Sequence, residues 1–205
     1  MIWISESAHT VRDQDGTLLG YEGTVEDITQ RKQAEAALHR RDCLLQGATE
    51  ATSQLLTDPD YETAIARALA TLGKAADADR VYIYQNHPHS ETQEPAMSMR
   101  YEWVREPITP SISQPHWQDQ PYSTFGMSRW HTAFSAGKSI NGLVREFPLA
   151  EQEILQRDGI QSILMVPILI NDQLWGYIGF DDCRSERRWS KNEEAILLAM
   201  AVSFG

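Results

Sequence analysis

The chain has 205 residues, 41% of them hydrophobic and 23% charged, with a net charge of −11. That composition implies a packed globular core, and the acidic balance argues against nucleic-acid binding across the surface, although "RK" (31–32) and "RR" (40–41) form a small basic patch. No run of 18 apolar residues occurs, so no membrane span is encoded, and the first residues lack the basic start and apolar middle of a secretory signal.

Residues 2–28 read as a β-hairpin turning at "RDQDG" (12–16), and such a pair is marginal without a partner surface. Residues 29–56 read as a helix that the Thr29 hydroxyl can cap. On it, Leu38, Leu45 and Thr52 fall seven apart, while Leu44, Ala48, Ala51 and Leu55 step by four, three and four. This narrow stripe suits a two-helix seam, or a helix lying on its own domain. "LLTDPDYET" stops that helix and starts another, with Asp58 as cap and Pro59 in the first turn. Tyr61, Ile65, Leu69, Leu72 and Ala76 keep helical spacing from there. "DADRVYIYQ" (77–85) leads into a strand, "NHPHSETQEP" reads as a loop, and "AMSMRYEWV" as an antiparallel partner strand.

Residues 105–137 are irregular but rich in aromatics, which predicts short helices, the last at about 127–136, packed over one sheet face. "KSINGLVREF" reads as a short strand turning at Asn141-Gly142, and "PLAEQEILQRDG" as a helix ended by Gly159. "IQSILMVPILIND" and "QLWGYIGFDDC" read as two apolar strands joined by a turn at Asn171 and Asp172. Pro167 predicts an edge or a bulge in the first of them. "SKNEEAILLAMAVSFG" opens with a capping box, Ser190 to Glu193, and is apolar nearly all round from Ala195.

The order of these elements, with "GIQSILMVPILINDQLWGYIGFDDC" and "RRWSKNEEAILLAMA", resembles a GAF domain over roughly residues 55–205. "RDQDGTLLGYEGTVEDITQRKQAEAAL", with its Asp27-Ile28-Thr29, is similar to the C-terminal end of a PAS domain. The resemblance implies an α+β fold: an antiparallel sheet with helices on its faces, after a hairpin and a long helix. It divides the chain into a PAS remnant (1–28), a linker or signalling helix (29–56) and a GAF domain (57–205). It also implies the sensory region of a bacterial signalling protein, cyanobacterial in style, of the kind that precedes a histidine kinase or diguanylate cyclase. Only about 27 residues carry the PAS likeness, so no PAS ligand follows from it.

No enzyme signature stands out: the sequence lacks GxxxxGKS, HExxH and GxSxG. The two glycines of "GYIGFDD" read as relief of crowding in a buried strand. Asp181 and Asp182, neighbours on a strand, point to opposite faces and form no acid/base pair; they read as strand-ending residues, with Asp181 a candidate ligand contact. Cys43 and Cys183 lie far apart, with no CxxC, which fits a reduced, cytoplasmic protein. GAF-like methionine sulfoxide reductases use cysteines, and Arg184, Arg187 and Arg188 would favour a Cys183 thiolate, but Cys43 sits outside the core as a resolving partner. Bilin-attaching GAF domains carry Cys followed by His, and neither cysteine here has one. The Asn-Lys…Phe…Asp-Glu pattern of cyclic-nucleotide-binding GAF domains is not placed either. His87 and His89, with Glu91 and Glu94, read as a polar loop ahead of a metal site.

What remains is a pocket between the irregular cover and one sheet face, for which Trp103, Phe125, Trp130, His131 and Phe134 are the lining candidates beside Asp181. The expectation is a non-catalytic, dimeric sensor that takes an unknown small molecule, with no metal or cofactor identified. Leu38, Leu45 and Leu55 mark its dimer or signalling helix. A ligand-free dimerising spacer is the alternative.

Overall fold

The computed structural model describes residues 2–124 and 126–204. The chain divides into two compact units, the first ending at Asp42 and the second beginning at Cys43. In the first, β1 (Ile4–Arg12) and β2 (Leu18–Asp27) form the expected antiparallel hairpin, with Ile4 opposite Asp27. Its turn is tied by the Asp13 carboxylate, which accepts from the Asp15 and Thr17 amides. Ile4, Tyr21 and Val25 stay exposed on it. Helix α1 runs from Thr29 to Thr57. Its cap differs from expectation: Asp27 accepts the Thr29 amide at 2.8 Å, whereas the Thr29 hydroxyl accepts from the Trp3 amide. The Ile28 carbonyl accepts the first helical amide, from Lys32, so Ile28 holds the cap position and the Asp27 carboxylate supports the helix start from the residue before it.

The second unit is built on a six-stranded antiparallel sheet, the α+β architecture expected. Its strands are β3 (Arg80–Pro88), β4 (Pro95–Val104), β5 (Gln120–Pro121), β6 (Ile140–Leu143), β7 (Ser162–Ile170) and β8 (Gln173–Asp182), in the order β5-β4-β3-β8-β7-β6. The segment expected as a loop after Gln85 instead extends β3 to Pro88. Asn141 and Gly142 do not turn, because both pair with β7 in the short edge strand β6. β6 covers only Ser162–Met165 of β7, so Pro167 falls where that side is unpaired and its missing amide hydrogen is tolerated. Asn171 and Asp172 both take positive φ, as a two-residue hairpin turn requires.

Strand alternation gives the sheet two cores. Val81, Ile83, Leu164, Val166, Ile178 and Phe180 face one side. There they meet α2 (Tyr61–Ala75), α5 (Lys191–Ala201) and the second half of α1. The α2 cap is Asp60, which accepts the Thr63 amide; Asp58, expected there, instead accepts from Arg67 and the Asp60 amide. The box at Ser190 and Glu193 forms as the spacing predicts. Leu44, Ala48 and Ala51 are buried against this core with Leu55 beside them, while Leu38 and Leu45 remain exposed. Leu44 and Leu45 are about 100° apart around a helix, so what reads as one stripe is two. Leu55, expected in the seam, belongs with the inner one, and the compact unit starts before the expected boundary at 57.

Tyr82, Tyr84, Met97, Met99, Ile163, Met165 and Tyr177 face the other side, under residues 105–137. This cover contains a 3-10 turn (Pro115–Trp117), β5 and α3 (Ser128–Ser135), and α4 (Leu149–Arg157) completes it. Glu151, fully buried in α4, accepts from Arg129 Nε and Trp130 Nε1 of α3 and so clamps the two helices together.

Candidate functional site

The site lies on the second face and begins with strand parity. Arg80, Tyr82 and Tyr84 alternate along β3; Tyr177 and Asp181 point the same way from β8. Gly179 lies opposite Tyr82, and a Cβ there would run into the phenol ring, so the glycine makes room for it. This is the close approach that "GYIGF" implies. Tyr84 stacks on Tyr177 with centroids 5.0 Å apart, and Tyr177 on Phe134 at 4.7 Å. Trp117 meets Tyr84 edge-on at 6.0 Å and donates from Nε1 to Asp158 Oδ2 at 2.8 Å.

Among these rings lies a buried charge cluster. Arg80 is 4% exposed, Asp181 fully buried. Arg80 Nη1 is 3.6 Å from Asp181 Oδ2, and the Tyr82 hydroxyl donates to Asp181 Oδ1 at 3.0 Å. Arg80 Nε is 3.1 Å from Glu102 Oε1 but out of line for a hydrogen bond. Glu102 in turn accepts the Ser111 and Ile112 amides, which anchors the cover loop to β4. Burial raises the Asp181 carboxyl to about 7, against the opposing pull of Arg80 and of the Tyr82 hydrogen bond. Between Tyr82, Tyr84, Trp117, Trp130, Tyr177 and the Arg80–Asp181 pair remains a cavity of about 20 Å³. That is room for a water-sized group. Arg80 and Asp158 also line an open groove of about 390 Å³, walled by residues 108–111 and by His116 and Arg157.

Of the residues expected at the pocket, Trp130 and Asp181 line the cavity, and Phe134 backs Tyr177. His131 lies beside Tyr122, with ring centroids 5.1 Å apart, and burial lowers its pKa. Phe125 lies outside the described residues. Trp103 is not brought to the site: a bulge opposite Ile83/Tyr84 leaves Arg100 unpaired and reverses the parity of β4. Trp103 therefore packs on the first face, over Gly73 of α2. Sequence reasoning missed Arg80, Tyr82, Tyr84, Glu102 and Tyr177. The signal was there in "RVYIY", where aliphatic residues alternate with Arg and Tyr.

Burial pushes the Cys183 thiol up to about 12, which opposes a reactive thiolate. The neighbouring arginines are committed elsewhere: Arg184 to Asp79, Arg187 to Glu193 and Arg188 to Glu146. His87 Nδ1 and His89 Nε2 each lie 3.8 Å from the Asp119 carboxylate. Glu94 is held by Thr92 and Ser123. Among the described residues no group of three or more His, Cys, Asp or Glu is placed to hold a metal ion, and no helix is long and apolar enough to cross a membrane.

Comparison with known proteins gives the following. The GAF domain profile matches residues 60–205. The methanogenesis regulatory histidine kinase FilI of Methanothrix harundinacea (strain 6Ac) is 40% identical over 195 residues, 95% of this chain. The chain spans 22% of the length of that relative. Among solved structures, the phycocyanobilin-bound GAF domain of a cyanobacterial phytochrome superposes with a TM-score of 0.63 at 18% identity, covering 78% of this chain and 92% of that one. The photoproduct state of a GAF domain from Synechocystis sp. PCC6803 superposes at 0.55 and 24% identity, covering 68% and 88%.

Proposed function

The chain belongs to the GAF domain family, and on that premise we propose that it is the non-catalytic sensory and relay region of a signalling protein. The observation that carries this is the Arg80–Asp181 pair, buried among aromatic rings under a helical cover and next to an open groove. Convergent polar groups in an apolar cleft are what small-molecule sites look like. The histidine kinase relative supports a kinase as the parent, with a diguanylate cyclase as the other output. One of the structural relatives, the cyanobacterial phytochrome GAF domain, is phycocyanobilin-bound. A cavity of about 20 Å³ supports a much smaller ligand here. In this reading residues 1–28 are the end of a preceding PAS domain, residues 29–56 the signalling helix, and the protein works in the cytoplasm.

The ligand signal would pass to the flanking helices and alter a homodimer seam along α1, where Leu38 and Leu45 are exposed seven residues apart. Such a switch needs two helix packings of similar free energy and a ligand with unequal affinity for them. Native mass spectrometry of the purified protein should find a retained small molecule that is lost in a Tyr177→Ala variant. The double change Leu38→Lys, Leu45→Lys should convert dimer to monomer in sedimentation; an unaltered dimer would exclude this seam. The second reading, a ligand-free dimerising spacer, is favoured by the small cavity. It predicts the same dimer with no retained molecule.

A further inference from the structure

Eight buried side-chain polar atoms among the described residues have no hydrogen-bond partner, and three of them, Arg80 Nε, Asp181 Oδ2 and His116 Nε2, belong to residues lining the inner cavity or the outer groove. A buried polar group without a partner is costly, so such a concentration marks a place completed by something else. The two spaces share Arg80 and Asp158 in their linings.

Their charges differ. In the groove the Asp158 carboxylate is committed to Trp117 Nε1, and Glu102 behind it to the Ser111 and Ile112 amides. Arg157 is exposed on the rim, with no ion pair or hydrogen bond among the described residues. Arg80 is already paired with Glu102 and Asp181, so Arg157, with His116 lining the same groove, is the group that would hold an anion there. The inner cavity offers the opposite. Asp181 Oδ2 needs a donor, and Arg80 Nη1, 3.6 Å from it and so beyond direct hydrogen-bond reach, can take an acceptor. A hydroxyl supplies both. At about 20 Å³ the cavity admits such a group but not an aromatic ring, since a cavity that holds benzene measures about 150 Å³.

We infer that the site takes a small hydroxy acid, its carboxylate held in the groove by Arg157 and His116 and its hydroxyl seated between Asp181 and Arg80. This rests on the sensor reading above and names the class of its ligand. The probes are β-hydroxybutyrate, butyrate and the matching butanediol, titrated calorimetrically and by NMR of the His116 imidazole. The hydroxy acid should bind and move the His116 resonances. Butyrate and the diol should each bind about tenfold more weakly or worse, the loss expected for one charge-assisted or fully buried hydrogen bond. Arg157→Ala, on an exposed side chain, should weaken the acid about tenfold and leave the diol unchanged, and Arg157→Lys should restore part of the loss. The inference is overturned if the diol matches the acid, if Arg157→Ala changes nothing, or if neither β-hydroxybutyrate nor lactate binds. In each of those cases a different small molecule retained in the native mass spectrum would keep the sensor reading, and an empty spectrum would remove that reading too.

Discussion

Asp181 carries the largest electrostatic consequence at the scale of single residues. Its carboxyl titrates near 3.8 in an unstructured chain and at about 7 in the fold, because burial disfavours the charged form. Between those values the folded protein holds a proton that the unfolded chain releases. Stability from this group is therefore greatest below about pH 4, declines as pH rises to about 7, and is level above, a span on the order of 4 kcal/mol. Asp181→Asn removes the titration, so its stability relative to the parent should improve between pH 5 and pH 8 in urea unfolding; a constant gap would refute the assignment. Gly179 makes a steric counterpart. Gly179→Ala drives a methyl into the Tyr82 ring and should destabilise by about 1–3 kcal/mol, read from the urea midpoint. Little of this is local in sequence. The triplet Arg80, Glu102 and Asp181 comes from three strands, and no spacing rule brings it together. The adjacent pair Asp181 and Asp182 is legible as opposite-facing. Asp182 accepts from the Arg184 and Ser185 amides and ends its strand as expected.

At the scale of elements, the irregularities decide which side chain reaches which core. Arg100 is the extra residue of the β4 bulge, and its own side chain is exposed. Arg100→Ala should change stability by less than about 0.5 kcal/mol. Deleting Arg100 instead joins Met99 directly to Tyr101, and since these already pair with the consecutive residues Tyr84 and Ile83, regular alternation should leave Tyr101, Glu102 and Trp103 on their present faces and keep Glu102 on the Ser111 and Ile112 amides. Circular dichroism melts of the two variants check this, and a collapse of the deletion variant alone would mean that the bulge itself is needed. This bulge is also why Trp103 was misplaced from sequence. "AMSMRYEWV" shows an unbroken strand, and nothing in its residue types announces the extra position. The elements with side-chain punctuation were legible: the box at Ser190, the turn at Asn171 and Asp172, and the helix near Ser128. Helix α1 was legible as a helix but not as two stripes, since Leu44 and Leu45 are adjacent and only the partner surfaces tell them apart.

For the whole molecule, the division at Asp42/Cys43 predicts where the chain can be shortened. A fragment starting at Cys43 should unfold cooperatively, with a thermal midpoint close to that of the full chain. One starting at Asp58 loses Leu44, Ala48 and Ala51 from the first core and should be less stable by several kcal/mol, by about 2–5 for Leu44 alone. Equal midpoints for the two fragments would show that the second half of α1 is dispensable. The same core shares one wall with the candidate site. Along β3, Val81 and Ile83 belong to the helical side and Arg80, Tyr82 and Tyr84 to the cavity side, residue by residue. Both sides pack against the strand, and the cavity on the second side is only water-sized, so there is little slack to absorb a displacement of the strand. The strand is thus a diaphragm between two chambers. On the proposed sensor reading, a molecule pressing on the tyrosines would move the aliphatic residues that meet α2 and α5, with only the thickness of one β-sheet between.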